Sequence, residues 1–531
     1  MNPKFPQTWK SIVYLSITAL LIISCNKPVE NQQESPEVKS TWPNAVNYEI
    51  FVQSFYDSNG DGIGDIEGMT SKLDYLQDLG IEGIWLMPIN PSPSYHKYDV
   101  VNYKDIHPDY GTLEQFKNFV KEAHNRGIHV VMDLVINHTG ADHPWFKSAL
   151  EGNGSEYRDY YVWADKDSIA NEIAKKETSL DSDNITQWHA PRGDSTAEHY
   201  YGFFWGGMPD LNYDNPEVRK EVYEIGRFWL TEIGVDGFRL DAAKHIYPDD
   251  RAVDNHNFWI EFRSEMEKAK SDVYLVGEVW SDAETVAPFL KGLPALFNFD
   301  MGYAIIEAVN AGRDTMLVQQ YKEINDFYNN VTEDFIDATF IRNHDQNRIM
   351  NEVSYDEQKA RMAASILLTL PGSPYLYYGE EIGMRGEKPD EFIREPFLWD
   401  KTGVDQGQTS WRKAKYSTDT TVVPLNQQMN DPQSMYAHYK KLITLRKESE
   451  VLTFGGIETT AISSPNIISF VREHQGEQTL VLHNVSDEQV EIALPEGLNT
   501  FTNVHFSTAE GTAITGGSTT LPAYTTVVIK P

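Results

Sequence analysis

Ile233-Gly234-Val235-Asp236-Gly237-Phe238-Arg239-Leu240-Asp241 is the stretch on which the fold turns. An amphipathic run, Val222–Ile233, stops at Gly234. A short apolar run, Val235–Leu240, follows and ends on a carboxylate. Glycine after a helix is a common stop signal, and a short β-branched or aromatic run after it reads as a buried parallel strand. The unit recurs. Leu73–Leu76 leads through Gly80 to Ile81–Pro88, and Phe116–Arg126 leads through Gly127 to Ile128–Ile136. Eight candidate strands result: Asn47–Phe55, Gly83–Met87, His129–Val135, Gly237–Leu240, Val273–Val276, Ala295–Phe299, Ala338–Ile341 and Tyr375–Tyr378. Eight strands alternating with helices predict an α/β fold, a (β/α)8 TIM barrel. The alternative, a doubly wound sheet, asks for a Gly-rich phosphate turn after a strand, and none is present.

A barrel brings the C-terminal ends of its strands together around one axis. Three carboxylates sit just past such ends: Asp241, Glu278 after Val273–Gly277, and Asp345 after Phe340–His344. Alone, each reads as a surface ion pair or a cap. Convergence changes that reading. Arg239 lies two residues before Asp241, so both share a strand face. A guanidinium favours an ionised carboxylate, the form a nucleophile needs. Glu278 precedes Val279-Trp280, and apolar surroundings keep a carboxyl protonated, as a general acid requires. Asp345 follows His344. Asp133, Asn137 and His138 end a further strand on the same rim.

Composition narrows the class. The 531 residues carry 45 basic and 79 acidic side chains, a net charge of 45 − 79 = −34, which argues against nucleic acid as a partner. Hydrophobic residues at 40% and aromatic residues at 12% indicate a globular chain. A single cysteine excludes intrachain disulfides. Lys4 and Lys10, then apolar Ile12–Ile23, then Ser24-Cys25 form a signal-peptide layout over residues 1–25. Ile22-Ile23-Ser24-Cys25 resembles a bacterial lipobox, which implies lipidation at Cys25. The expected product is an exported lipoprotein, anchored to a membrane on the periplasmic or cell-surface side. Residues 26–43 read as a polar tether.

The barrel is expected over residues 44–138 and 214–450. Residues 139–213 are too long for a loop and read as an inserted subdomain on the C-terminal side of the strands. Past residue 450 the texture becomes short strands between turns, predicting a C-terminal antiparallel β domain over 451–531. One loop has calcium spacing: Asp57, Asn59, Asp61 and Asp65 supply oxygens, Ile63 a carbonyl, and Gly62 the turn. Position 12 is Gly68 and no helix precedes the loop, so it is not an EF-hand. A structural Ca²⁺ is expected; a metal-free Gly/Asp turn is the alternative.

Four ordered stretches carry a resemblance: Asp133-Leu134-Val135-Ile136-Asn137-His138, Gly237–His245, Gly277-Glu278-Val279-Trp280 and Ile341-Arg342-Asn343-His344-Asp345. From about Asn44 onward the chain resembles the α-amylase superfamily of retaining α-glucoside hydrolases, glycoside hydrolase family 13, including its neopullulanase-like members. The resemblance implies Asp241 as nucleophile, Glu278 as acid/base and Asp345 as transition-state stabiliser. It implies that Asp133, Arg239, His138 and His344 hold the sugar, with Tyr98 stacking on it beside His96. Lys97 stands between them where glycine is usual. Lys244 and His245 resemble leaving-side contacts, and Arg394 reaches the same sugar. A second calcium is implied at Asn137, Asp210 and the His245 carbonyl.

The expected activity is cleavage of α-1,4 links in an α-glucan or maltooligosaccharide. The alternative is an exo-acting α-glucosidase, oligo-1,6-glucosidase or transglycosylase on the same scaffold. A non-catalytic glycan-binding lipoprotein fits poorly with three retained carboxylates. A metal-dependent barrel hydrolase would want a His-x-His pair near the first strand, where Gln53-Ser54-Phe55 stands. No oligomeric state follows from the sequence.

Overall fold

The computed structural model describes residues 40–174, 182, 184, 186–191, 198–515 and 517–531. The expected signal peptide, Cys25 and most of the tether lie outside the described residues. Eight strands form one parallel sheet: β1 (Asn47–Ile50), β2 (Gly83–Leu86), β3 (His129–Leu134), β4 (Gly237–Leu240), β5 (Tyr274–Gly277), β6 (Ala295–Asn298), β7 (Ile336–Thr339) and β8 (Tyr375–Tyr377). The sheet order is β7-β6-β5-β4-β3-β2-β1-β8. A parallel bridge from Phe340 to Tyr375 joins its two ends and closes the barrel.

The opening stretch shows how local signals build this. Pro216 and the Asn215 cap start the helix Pro216–Phe228. It widens into a π turn, Trp229–Ile233, and stops at Gly234, whose φ of +91° suits glycine. β4 follows with no intervening loop structure beyond Val235 and Asp236. Gly237 permits close approach of β5: a Cβ there would stand 1.9 Å from the Tyr274 carbonyl oxygen.

Alternation sorts the strand residues. Trp85, Val131, Tyr274, Val276, Phe297 and Tyr375 point inward and pack together in the barrel. Ile84, Val130, Met132, Phe238, Leu240 and Leu275 point outward into the core beneath the helices. Asp133 pairs in register with Arg239, and Glu49 with both Trp85 and Tyr377. These three charged residues therefore belong to the inner face as well.

One expected strand is shorter than its sequence suggests. The chain leaves the sheet after Ile50, and Val52–Phe55 makes a helical turn. Tertiary contacts decide this. The Ser54 hydroxyl donates to the Arg394 carbonyl at 2.5 Å and accepts from Trp411 Nε1 at 2.8 Å. Strands β5 and β7 also shift by one and two residues from their expected starts.

Between β3 and Pro216 the insertion carries the short helix Pro144–Ala149 and a three-stranded sheet of Trp163–Ala164, His199–Tyr201 and Trp188–His189. Bridges His138–Asp210 and Tyr161–Leu211 close its base. After the helix Met435–Lys447 the chain forms two antiparallel sheets, of five and three strands, consistent with a β-sandwich. Buried Arg472 ties this domain to the barrel. It donates to the Thr369 carbonyl at the end of helix Glu357–Thr369 (2.5 Å) and to Gly455 and Gly456 (2.7 and 3.0 Å). Among the described residues no helix is long and apolar enough to cross a membrane.

Candidate active site

A cavity of about 350 Å³ opens at the C-terminal ends of the strands, where a TIM barrel places its chemistry. Asp241, Glu278 and Asp345 line it together with His96, Tyr98, His138 and Arg394. The insertion supplies Ser182, Phe204, Trp205 and Met208, and the segment after β8 supplies Lys388 and Asp390.

Arg239 is the hub beneath the floor, 1% exposed. Its Nη1 donates to both Asp133 oxygens at 2.9 Å and to Asp241 Oδ1 at 2.6 Å, while Nη2 lies 2.7 Å from Glu278 Oε2. The Ala242 amide donates to Glu278 Oε2 at 3.2 Å. Ala242 adopts φ +48°, a left-handed conformation that costs a non-glycine residue about 1–2 kcal/mol and aims this amide. One guanidinium thus faces three acids. Burial, with the Asp241 and Asp345 charges adding to it, outweighs Arg239 and pushes the Glu278 carboxyl up to about 7. Trp280 stacks on Phe299, with ring centroids 4.6 Å apart, and forms an apolar wall nearby.

Asp345 sits in the opposite field. Its Oδ2 is 3.1 Å from His344 Nε2 and its Oδ1 accepts from Arg394 Nη2 at 2.8 Å. Burial alone would raise its carboxyl, but the His344 and Arg394 charges hold it far below the usual carboxylate range. Tyr98 joins the two halves. Its hydroxyl lies 2.6 Å from His344 Nε2 and 3.1 Å from Asp133 Oδ2. Lys97 takes φ +66°, so the backbone keeps the conformation that glycine favours while the side chain donates to the Ser94 carbonyl at 2.7 Å. Burial first, and then Arg394, push the His96 imidazole down to about 4.

Several residues expected to touch the sugar stand elsewhere. Asp133 and His344 are both 0% exposed and, like Arg239, support the lining residues instead of forming the cavity wall. Asp133 is held by Arg239, Trp85 and Tyr98, and His344 by Glu49, Tyr98 and Asp345. Lys244 turns toward Asp249, at 3.6 Å, and His245 stacks on Phe203 at 3.8 Å; neither is among the residues lining the cavity. Sequence reasoning passed over Glu49, Trp85 and Trp205. Glu49 approaches His344 Nδ1 at 2.5 Å and Trp85 Nε1 donates to Asp133 at 3.3 Å. An indole at an inward position of the apolar strand β2 was the available signal for Trp85.

The calcium expectation concerns two places. In the loop, Asp57 accepts from the Asn59, Gly60 and Gly62 amides (3.0, 2.7 and 2.7 Å), and Asp65 accepts from the Ser58 and Gly68 amides (2.8 and 2.7 Å). Carboxylate oxygens retain further lone pairs, and the donor types suit a hard cation. Among the described residues no three His, Cys, Asp or Glu side chains gather closely enough to hold an ion by themselves. A loop-bound cation therefore needs the Asn59 and Ile63 oxygens as well. At the second place, the Asn137 side-chain oxygen is buried without a hydrogen bond, and burial pushes the Asp210 carboxyl up to about 8. An orphaned oxygen beside a buried acid also fits a cation.

Residues 49–455 match the family model described as alpha amylase, catalytic domain, and residues 467–528 match the alpha-amylase SusG C-terminal domain. The chain is 45% identical over 446 residues to alpha-amylase 3 of Dictyoglomus thermophilum, covering 84% of this chain and 85% of that protein. It is 35% identical to a 4-alpha-glucanotransferase of Thermotoga maritima, over 84% of this chain and 96% of that one. Among solved structures, an alpha-amylase from H. orenii superposes with a TM-score of 0.83 at 46% identity, covering 91% of this chain and 99% of that one.

Proposed function

Because the chain belongs to the α-amylase family of glycoside hydrolases, we propose that it cleaves α-1,4-glucosidic bonds of starch-type glucans or maltooligosaccharides with retention, by double displacement. The observation that carries this reading is the single Arg239 guanidinium shared by Asp241 and Glu278. It keeps two carboxyl groups close together, as retention requires at about 5–5.5 Å.

The steps follow from the electrostatics. Glu278, raised to about 7, holds a proton near neutral pH and donates it to the leaving glycosidic oxygen. Asp241 attacks the anomeric carbon and forms the glycosyl ester. The Glu278 carboxylate then takes a proton from water, which attacks the ester and restores the original configuration. Asp345, kept anionic by His344 and Arg394, accepts hydrogen bonds from sugar hydroxyls as positive charge grows on the ring. Tyr98 supplies a stacking face.

Trp205, 54% exposed on the insertion, offers a second aromatic face on the cavity rim. This supports binding of a chain beyond one glucose and favours endo action. Glucanosyl transfer is the second reading, favoured by the likeness to a 4-alpha-glucanotransferase. Chromatography of products from amylose, pullulan and cyclodextrin separates the two, with transfer giving products longer than the substrate. Asp241→Asn should lower kcat by about 10⁴-fold or more. An active variant would remove the nucleophile assignment.

A structural Ca²⁺ at the 57–65 loop, with a second at Asn137 and Asp210, is proposed on donor chemistry. In that case a chelator lowers the melting temperature and Ca²⁺ restores it. The lipid anchor at Cys25 is proposed from the lipobox-like stretch alone. Cys25→Ser should then move the expressed protein from the detergent phase to the aqueous phase.

A further inference from the structure

Glu49 is a buried acid to which the steps above give no part. It lies on β1, 2% exposed, in register with Trp85 and Tyr377 on the inner face of the barrel. Its Oε1 is 2.5 Å from His344 Nδ1. On the other side of that ring, Nε2 is 3.1 Å from Asp345 Oδ2 and 2.6 Å from the Tyr98 hydroxyl.

Hydrogen accounting favours a charged ring. A neutral imidazole has one donor and one lone pair. With its proton on Nδ1, it would accept from the Tyr98 hydroxyl at 2.6 Å but turn the same Nε2 lone pair toward the Asp345 carboxylate. With its proton on Nε2, it would turn the Nδ1 lone pair toward Glu49. The imidazolium satisfies both ends, and it frees the Tyr98 hydroxyl to donate to Asp133 at 3.1 Å. We propose that Glu49 is a positioning residue: its carboxylate holds His344 as the imidazolium that presents Nε2–H to Asp345 and Tyr98, and so orders the sugar-holding side of the cavity.

The surrounding groups agree. Burial alone would push the His344 imidazole down, yet Asp345 and Glu49 together raise it to about 10. Trp85 packs edge-on at 5.4 Å and Tyr98 stacks at 5.6 Å, so water does not compete for the ring. The remaining charges facing this cluster are Asp133, Arg239 and Arg394, whose Nε donates to the His344 carbonyl at 2.9 Å. The His344 charge also pulls down the carboxyls of Asp345 and Glu278. Removing it therefore moves both upward.

The proposal rests on the role given to Asp345 above, so Asp345→Asn is measured beside Glu49→Gln and Glu49→Asp on the full chain. Glu49→Gln should lower kcat by about tenfold, the loss of one charge-assisted hydrogen bond, with KM nearly unchanged. The alkaline limb of its pH–rate profile, set by Glu278, should move to higher pH, and Glu49→Asp should return it toward the wild type. An inactive Asp345→Asn beside a Glu49→Gln with an unmoved alkaline limb overturns the Glu49 proposal alone. An active Asp345→Asn overturns the reading beneath it. Should the variants fail to fold, ¹⁵N-histidine NMR of the wild-type protein decides. One imidazolium should persist at pH 8.5, where ordinary histidines are neutral; its absence overturns the proposal.

Discussion

The two halves of the active site hold the same chemical group in opposite states. On the β4–β5 side, Glu278, Asp241 and Asp133 divide one guanidinium, and Glu278 keeps its proton up to about 7. On the β7–β8 side, Asp345 meets two cations, His344 and Arg394, which it shares with Glu49 and Asp390, and is anionic throughout the working range. Both carboxyls are only partly withdrawn from water, Glu278 13% and Asp345 28% exposed, so exposure alone does not separate them. The number of cations per carboxylate does. Glu278 and Asp345 thus differ by the count of positive charge within hydrogen-bond reach.

The largest effect is expected at Glu278. Glu278→Gln should lower kcat/KM on maltooligosaccharides by about 10²–10⁴-fold. A substrate with a good leaving group should lose far less, because it needs no proton. Equal losses on both substrates would mean that Glu278 is not the acid. Next comes the hub. Arg239→Met leaves buried acids without their cation and should cost about 3–5 kcal/mol of stability, read by denaturant titration. Arg394→Met should cost less, since His344 remains beside Asp345.

The pH dependence sharpens the contrast. In the wild type kcat/KM should fall as pH rises through about 7, where Glu278 loses its proton. The stability contribution has the same direction. Between the unfolded carboxyl value of about 4.3 and the folded value of about 7, the folded state holds a proton that the unfolded chain has released. This group's contribution therefore declines as pH rises across that window, which urea melts at pH 4 and 7 would register. The smallest effect belongs to Lys97. Lys97→Gly relieves a left-handed residue but frees the unfolded chain, and the two terms, each about 1 kcal/mol, nearly cancel. Activity within about twofold of the wild type is expected, since the backbone already has the glycine shape.

Much of this was legible in the chain. The repeated helix–glycine–strand unit announces the barrel. The two-residue spacing of Arg239 and Asp241 announces a pair that the structure places at 2.6 Å. Other features were not legible for definite reasons. Glu49 reads as one polar residue in Asn47-Tyr48-Glu49-Ile50, and its partner His344 is 295 positions away. Val52–Phe55 reads as strand because Val52 and Phe55 favour strands, but contacts with Arg394 and Trp411 bend it into a turn. Lys244 and His245 have the expected residue types, yet Asp249 and Phe203 claim them.

By itself the sequence determined the fold class and which residues stand at the strand ends, because periodicity and stop signals act over a few residues. Only the tertiary structure decided which acid keeps its proton. That property belongs to the field of charges from β1, β3, β4, β7 and the segment after β8, which closure of the barrel brings within a few ångströms of one another.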